Sequence, residues 1–222
     1  MVFITKILNK LVVSYQVLKK KIQGKKIVIL GQRASGKTTL LNFLLKGEIT
    51  VSYEQTIGVD RVEKTKNGTI KLENLGWDVK ISSDQKDYAG TTSGYEQWKN
   101  ACQEADIFIY LFNIETWIVN PDIIEDQILK DISNIEVILK EKDIPIYIIG
   151  THLDKLLGIS YKNESEKNIF IDELGNEPFI YGIKSRLVND SKEAQVEILF
   201  GNLATDKDME KLIKLMIDSF RG

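Results

Sequence analysis

The chain has 222 residues, 43% of them hydrophobic and 28% charged, with a net charge of −2; this length can bury one substantial core, and the composition is that of a folded domain rather than a disordered one. Cys102 is the only cysteine and His152 the only histidine, which excludes internal disulfides and zinc-finger sites. The chemistry left open is that of hydroxyls, carboxylates, lysines, backbone amides and bound metal.

The charge is unevenly spread. Glu48 is the first acidic residue, while residues 1–47 hold ten Lys and Arg, leaving 20 basic against 32 acidic residues in the remainder. A basic end on an acidic body points to an anionic partner at that end. Ile4, Ile7, Leu8, Leu11, Tyr15, Leu18 and Ile22 fall on one helical stripe, so residues 3–22 predict an amphipathic helix, closed by Gly24. Lys6, Asn9, Lys10, Ser14 and Gln16 interrupt the apolar run, which argues against a membrane span or a signal peptide. Two units are therefore expected: a basic amphipathic helix over 1–24 and one domain over 25–222.

Ile27-Val28-Ile29-Leu30 is a short apolar run of the kind that forms a buried parallel strand. Leu40, Leu41, Phe43, Leu44 and Leu45 predict a helix over 35–46. Between them lies Gly31-Gln32-Arg33-Ala34-Ser35-Gly36-Lys37-Thr38, a complete GxxxxGK[ST] motif placed between strand and helix, as a phosphate cradle requires. The glycines let backbone amides wrap an anion, and the helix N-terminus adds partial positive charge. A glycine-rich turn matching by chance is the bland reading, and the flanking elements weigh against it. Lys37 is expected to bridge the β- and γ-phosphates and Thr38 to ligate Mg2+, with Gly31, Arg33, Ala34, Ser35, Gly36 and Thr39 lining the cradle.

Asn67-Gly68, between residues 58–65 and 69–75, is a hairpin signal, and Val79 and Ile81 continue the alternation toward Asp87. A helix follows around 93–104, then a strand at Ile107–Phe112. A helix over 121–142 keeps Ile124, Ile128, Ile132, Ile135 and Leu139 in phase, and a strand follows at Ile144–Ile149. Residues 156–195 read as a surface insertion with Tyr181 in a strand or loop. Val196–Phe200 predicts the last strand and Met209–Phe220 the closing helix. Strands alternating with helices predict an α/β fold, a mostly parallel central sheet with helices on both faces.

The phosphate loop alone does not choose a nucleotide. Over residues 25–220 the chain resembles the small GTPases, especially their Arf-like and signal-recognition-receptor-β-like members, through motifs in the family's order. Gln55-Thr56-Ile57-Gly58-Val59 resembles the first switch, Asp87-Tyr88-Ala89-Gly90 the DxxG motif, and Thr151-His152-Leu153-Asp154 the guanine-reading [NT]KxD motif. Gly201-Asn202-Leu203 is placed as the SAK loop, with Gly182-Ile183-Lys184 as the rival placement. The resemblance implies that Thr56 closes over Mg2+ when the γ-phosphate is present, that Asp87 holds Mg2+ through water, and that the Gly90 amide touches the γ-phosphate. It further implies that Asp154 accepts from the guanine ring nitrogen and exocyclic amine, with Thr151, His152, Asn202 and Leu203 around the base.

Three residues depart from the family pattern. His152 stands where the family has a lysine whose stem packs on the purine, although an imidazole can stack instead. Thr91 follows DxxG where most members have a water-orienting glutamine, and Arg33 stands where many have glycine. The resemblance thus implies a GTP/GDP switch using Mg2+, with Lys37, Thr56, Gly90 and Thr91 as the catalytic set and slow or partner-dependent hydrolysis. A GTP-locked interaction subunit is the alternative; an ATP-using kinase lacks an arginine-rich lid candidate. An effector or regulator is expected at the loops around Thr56 and Gly90. The chain is expected in the cytoplasm; residues 1–22 either pack on their own domain or a protein partner, or lie on an anionic membrane surface, which would make the chain peripheral on a membrane. Val2 gives no myristoylation signal and the C-terminal end no prenylation cysteine, and the basic end lacks the aromatic interleaving of nucleic-acid binders.

Overall fold

Apolar strands dictate a sheet buried on both sides, and the computed structural model has one. It describes residues 25–46, 63–64, 69–72, 77–81, 92–157, 164–188, 196–204 and 206–219. The strands are β1 (Lys26–Gly31), β2 (Glu63–Lys64), β3 (Thr69–Leu72), β4 (Trp77–Ile81), β5 (Ile107–Asn113), β6 (Ile146–Thr151) and β7 (Val196–Phe200). They form one seven-stranded sheet in the order β2-β3-β4-β1-β5-β6-β7. β4, β1, β5, β6 and β7 pair in parallel, and β3 runs antiparallel to β2 and β4. The expected hairpin is present in the pairing of Glu63 with Lys71 and Lys64 with Ile70; its Asn67-Gly68 corner lies outside the described residues, as does the helix expected over 3–22.

The helices are α1 (Lys37–Lys46), α2 (Thr92–Glu104), α3 (Ile114–Val119), α4 (Pro121–Ser133), α5 (Glu136–Glu141), α6 (Leu153–Leu157), α7 (Glu164–Gly175), α8 (Pro178–Leu187) and α9 (Asp206–Ser219). Strand alternation divides them between two faces. Ile27, Ile29, Ile109 and Ile149 pack with Leu40, Phe43 and Leu44 of α1 and Met209, Leu212 and Ile213 of α9. Val28, Leu30, Phe108 and Ile148 pack with Trp98 and Cys102 of α2, Ile128 and Ile132 of α4 and Ile180 and Ile183 of α8. Each such fully buried side chain contributes roughly 1.5–3 kcal/mol of apolar transfer.

The expected single helix over 121–142 is two. Ser133 Oγ and Asn134 Nδ2 both donate to the Lys130 carbonyl at 2.8 Å, local bonds that compete with continuation of the helix. The phase survives the break, since Ile128, Ile132, Ile135 and Leu139 are all buried. Residues 114–119 form a helix the periodicity did not indicate. Asn113 caps it, its side-chain oxygen accepting from Glu115 N at 2.9 Å and Thr116 N at 3.3 Å. That helix ends at Asn120, ahead of Pro121.

The stretch read as a surface insertion is corrected in part. Its described residues 164–187 are mostly helix, and Tyr181 lies on α8 rather than in a strand or loop. Pro178 opens α8, where a missing N–H costs nothing. Phe179, Ile180, Ile183 and Leu187 of α8 are buried in the core while Tyr181 faces solvent. This helix is part of the fold's interior.

Candidate nucleotide site

The site begins where β1 ends. Gly31 takes φ +136, and a Cβ there would fall 2.0 Å from the Leu111 carbonyl oxygen of β5, so only glycine fits. Ala34 at φ 56 and Gly36 at φ 86 turn the chain into a left-handed concavity, the arrangement in which successive backbone N–H groups point inward to an anion. Ser35 Oγ donates to the Gln32 carbonyl at 2.8 Å and closes the turn. Lys37, buried at the start of α1, donates from Nζ to the carbonyls of Gly31, at 3.1 Å, and Gln32. Arg33, Ala34 and Thr38 are exposed, and Thr39 is half-buried. A cradle that excludes Cβ atoms, an ammonium at its mouth and a helix N-terminus beneath it fit a polyphosphate.

Thr151, at the end of β6, ties this loop to its neighbour. Its Oγ1 lies 3.0 Å from the carbonyl oxygens of both Ser35 and Phe112. His152 follows at φ 62, half-buried, with Nδ1 2.9 Å from the same hydroxyl. Burial, then Lys155, holds its imidazole below the ordinary value, against the pull of Asp154 and Glu115. Asp154 is exposed in the first turn of α6. Lys155 Nζ pairs with Glu115 Oε2 at 3.1 Å, joining α6 to α3.

The loop after β7 completes the rim. Gly201 N donates to the Gly150 carbonyl at 2.9 Å, and Leu153 N to the Gly201 carbonyl at 3.3 Å. Asn202 is buried, accepting from Ala204 N at 2.8 Å and donating to Asp208 Oδ2 at 3.2 Å. Leu203 packs against the phosphate loop, its Cδ1 2.7 Å from where a Cβ on Gly36 would stand. Residues 31–38, 151–154 and 201–203 therefore meet at the carboxyl edge of the parallel strands, the ligand-binding edge of open α/β sheets. The rival Gly182-Ile183-Lys184 lies inside α8, so it is not the third loop.

One residue of this edge escaped the motif reading. Gln32 occupies a position the phosphate-loop pattern leaves free, yet it is buried. Its N–H donates to the Leu111 carbonyl at 3.0 Å and its Oε1 accepts from Asn113 N at 3.4 Å, binding the loop's floor to β5. Its Nε2 is buried with no hydrogen-bond partner. Thr56, Asp87, Gly90 and Thr91 lie outside the described residues. Among the described residues no group of three or more His, Cys, Asp or Glu is placed to hold a metal, and no helix is long and apolar enough to cross a membrane.

The family described as "Ras of Complex, Roc, domain of DAPkinase" matches residues 26–154, from β1 through Asp154 at the start of α6. No curated protein matches the chain in sequence. Among solved structures the chain is similar to an ADP-ribosylation-factor-like GTP-binding protein, the small COPII coat GTPase SAR1 from Encephalitozoon cuniculi in complex with GDP. That alignment has 14% identity and a TM-score of 0.57, covering 98% of this chain and 90% of that one. A GTP-binding protein from Sulfolobus solfataricus, also with GDP, aligns at 14% identity and a TM-score of 0.49 over 88% of this chain and 52% of that one. At 14% identity the SAR1 likeness is one of fold. The family match covers more than half of the chain and encloses both the phosphate loop and Asp154, and with the sheet order and the three converging loops it places this chain in the Roc (Ras of complex) family of small-GTPase domains.

Proposed function

We propose that the chain is a guanine-nucleotide switch that binds GTP and GDP with Mg2+ and hydrolyses GTP slowly or with a partner's help. The observation that carries this reading is the Thr151 hydroxyl, 3.0 Å from the Ser35 carbonyl. It couples the phosphate cradle to the loop bearing Asp154, so one ligand with a polyphosphate tail and a base can engage both. On binding, the Lys37 ammonium exchanges backbone carbonyls for phosphate oxygens. The Asp154 carboxylate, open to solvent, can accept from a ring N–H and an adjacent amine, a donor pair that guanine has and adenine lacks. Such a pair discriminates by on the order of 10³ or more.

Thr38 begins the metal site, and the family resemblance adds Thr56 and Asp87. Bound Mg2+ would offset phosphate charge. Asn202 and Leu203 would shape the base side. Identification of the nucleotide that co-purifies tests this reading: GDP or GTP is the expected species, and an adenine nucleotide would contradict it.

A second reading follows from Thr91, which is too short to orient water as the family's glutamine does. It makes the chain a GTP-locked interaction subunit. Phosphate release from purified protein separates the two readings. Intrinsic turnover of about 10⁻⁴ s⁻¹ or below is expected, and faster unaided turnover would contradict the role given to Thr91. Effectors would read the loops around Thr56 and Gly90. Residues 1–22 would hold the chain to an anionic cytoplasmic membrane surface, each lysine near it contributing about 1 kcal/mol. Liposome flotation of the chain with and without residues 1–22 checks this, and equal behaviour would contradict it.

A further inference from the structure

His152 has a hydrogen-bonding role that can be settled by elimination. Three groups surround the Thr151 hydroxyl: the Ser35 carbonyl at 3.0 Å, the Phe112 carbonyl at 3.0 Å and His152 Nδ1 at 2.9 Å. Carbonyl oxygens only accept, and the hydroxyl has a single hydrogen. That hydrogen goes to the carbonyls, so a lone pair of Oγ1 accepts from Nδ1. The neutral ring is therefore the Nδ1–H tautomer, and Nε2 is the atom that takes up a proton. Protonation adds a positive charge without breaking the bond to Thr151. The ring also keeps its place, because the left-handed backbone at φ 62 aims it and the hydroxyl anchors it.

That place is close to the phosphate loop. Only the Thr151 hydroxyl stands between Nδ1 and the Ser35 carbonyl, a residue of the cradle itself. We propose that His152 is a proton-dependent affinity determinant: proton uptake at Nε2 tightens the site's hold on an anionic guanine nucleotide. This rests on the nucleotide reading above and adds its regulation by pH. The charged groups acting on the ring are Asp154 and Lys155 of α6 and Glu115 of α3, of which Lys155 and Glu115 neutralise each other in an ion pair at 3.1 Å. Burial and Lys155 hold the imidazole below its ordinary value in the free protein and so disfavour its charged form. A bound polyphosphate brings negative charge nearby and favours the imidazolium. The bound-state pKa is then higher than the free-state one, so affinity rises as pH falls from the first value to the second, which burial and Lys155 hold below the ordinary imidazole value.

Because His152 is the only histidine, its imidazole resonances are unambiguous in the full chain. The experiment titrates them with and without GDP, and measures the GDP dissociation constant at about pH 7.5 and about pH 5.5 for wild type, His152→Gln and His152→Lys. GDP's own phosphate titration is common to all three proteins and drops out of the comparison. The expected result is an imidazole pKa that rises on adding GDP, and a wild-type gain in affinity toward acid about three- to tenfold larger than in either variant. A pKa that stays or falls on adding GDP would overturn the proposal, as would equal pH slopes in wild type and His152→Gln; both outcomes leave the nucleotide reading standing. Failure of wild type to bind GDP at either pH would remove both.

Discussion

Two glycines of the phosphate loop meet different obstacles, and the difference sets the size of their effects. A Cβ on Gly31 would lie 2.0 Å from the Leu111 carbonyl oxygen, a backbone atom of the central strand that cannot yield. A Cβ on Gly36 would lie 2.7 Å from Leu203 Cδ1, the tip of a side chain that can rotate. Gly36→Ala therefore retains mainly the strain of its positive φ, and should cost about 1–3 kcal/mol. Gly31→Ala should cost more than that, and thermal unfolding of the two variants should rank them in this order. At this scale the sequence was informative about residue types at fixed spacing: Gly31, Gly36, Lys37, Thr151 and Asp154 were all named from motifs. It was silent on Gln32 and on the partners of Thr151, because those bonds join residues 81, 39 and 116 positions apart through the sheet.

Among the elements, α2, α4 and β5 are joined by a buried carboxylate. Asp131, almost fully buried, accepts from Tyr95 OH at 3.0 Å and Tyr110 OH at 2.7 Å. Burial, then the Asp131 charge, pushes the Tyr95 phenol up from 10.0 to about 12. The folded state thus keeps a proton that the unfolded chain loses, so this contribution to stability is whole below pH 10 and disappears as pH rises toward 12. Tyr95→Phe should flatten the decline of denaturation midpoint over that alkaline range, and an unchanged slope would contradict the assignment. Asp131→Ala leaves the fully buried Tyr110 hydroxyl without its partner and should cost about 2–4 kcal/mol by chemical denaturation.

Of the parallel strands, β1, β5 and β6 were legible as uninterrupted apolar runs, whereas β4 alternates as Trp77-Asp78-Val79-Lys80-Ile81 and β7 carries Glu197. α8 was not legible, because Gly175, Asn176 and Gly182 read as loop punctuation while its apolar residues Phe179, Ile180, Ile183 and Leu187 make a short stripe. Its place in the core is testable. Ile183→Ala should cost about 2–5 kcal/mol, whereas Tyr181→Ala on the outer face should stay within about 0.5 kcal/mol. Comparable small losses would return α8 to the surface.

At the scale of the whole molecule, the described residues form a two-faced sheet whose carboxyl edge gathers three segments distant in sequence. The order of motifs along the chain anticipated this gathering, since a phosphate loop after β1 and the Thr151–Asp154 loop after β6 come to one edge only if β1 and β6 point the same way, as their parallel pairing through β5 makes them. The hydroxyl that couples the two loops is a product of the fold and had no sequence signal. In the function proposed above, Asp154 and the phosphate cradle together select a guanine nucleotide, and this selection is what the rest depends on. It is tested most directly by titrating GTP and ATP against wild type and Asp154→Ala, with circular dichroism to verify that the variant is folded. The expected result is a wild-type preference for GTP on the order of 10³ that Asp154→Ala abolishes. Equal binding of the two nucleotides by wild type, or a preference untouched by the substitution, would contradict it.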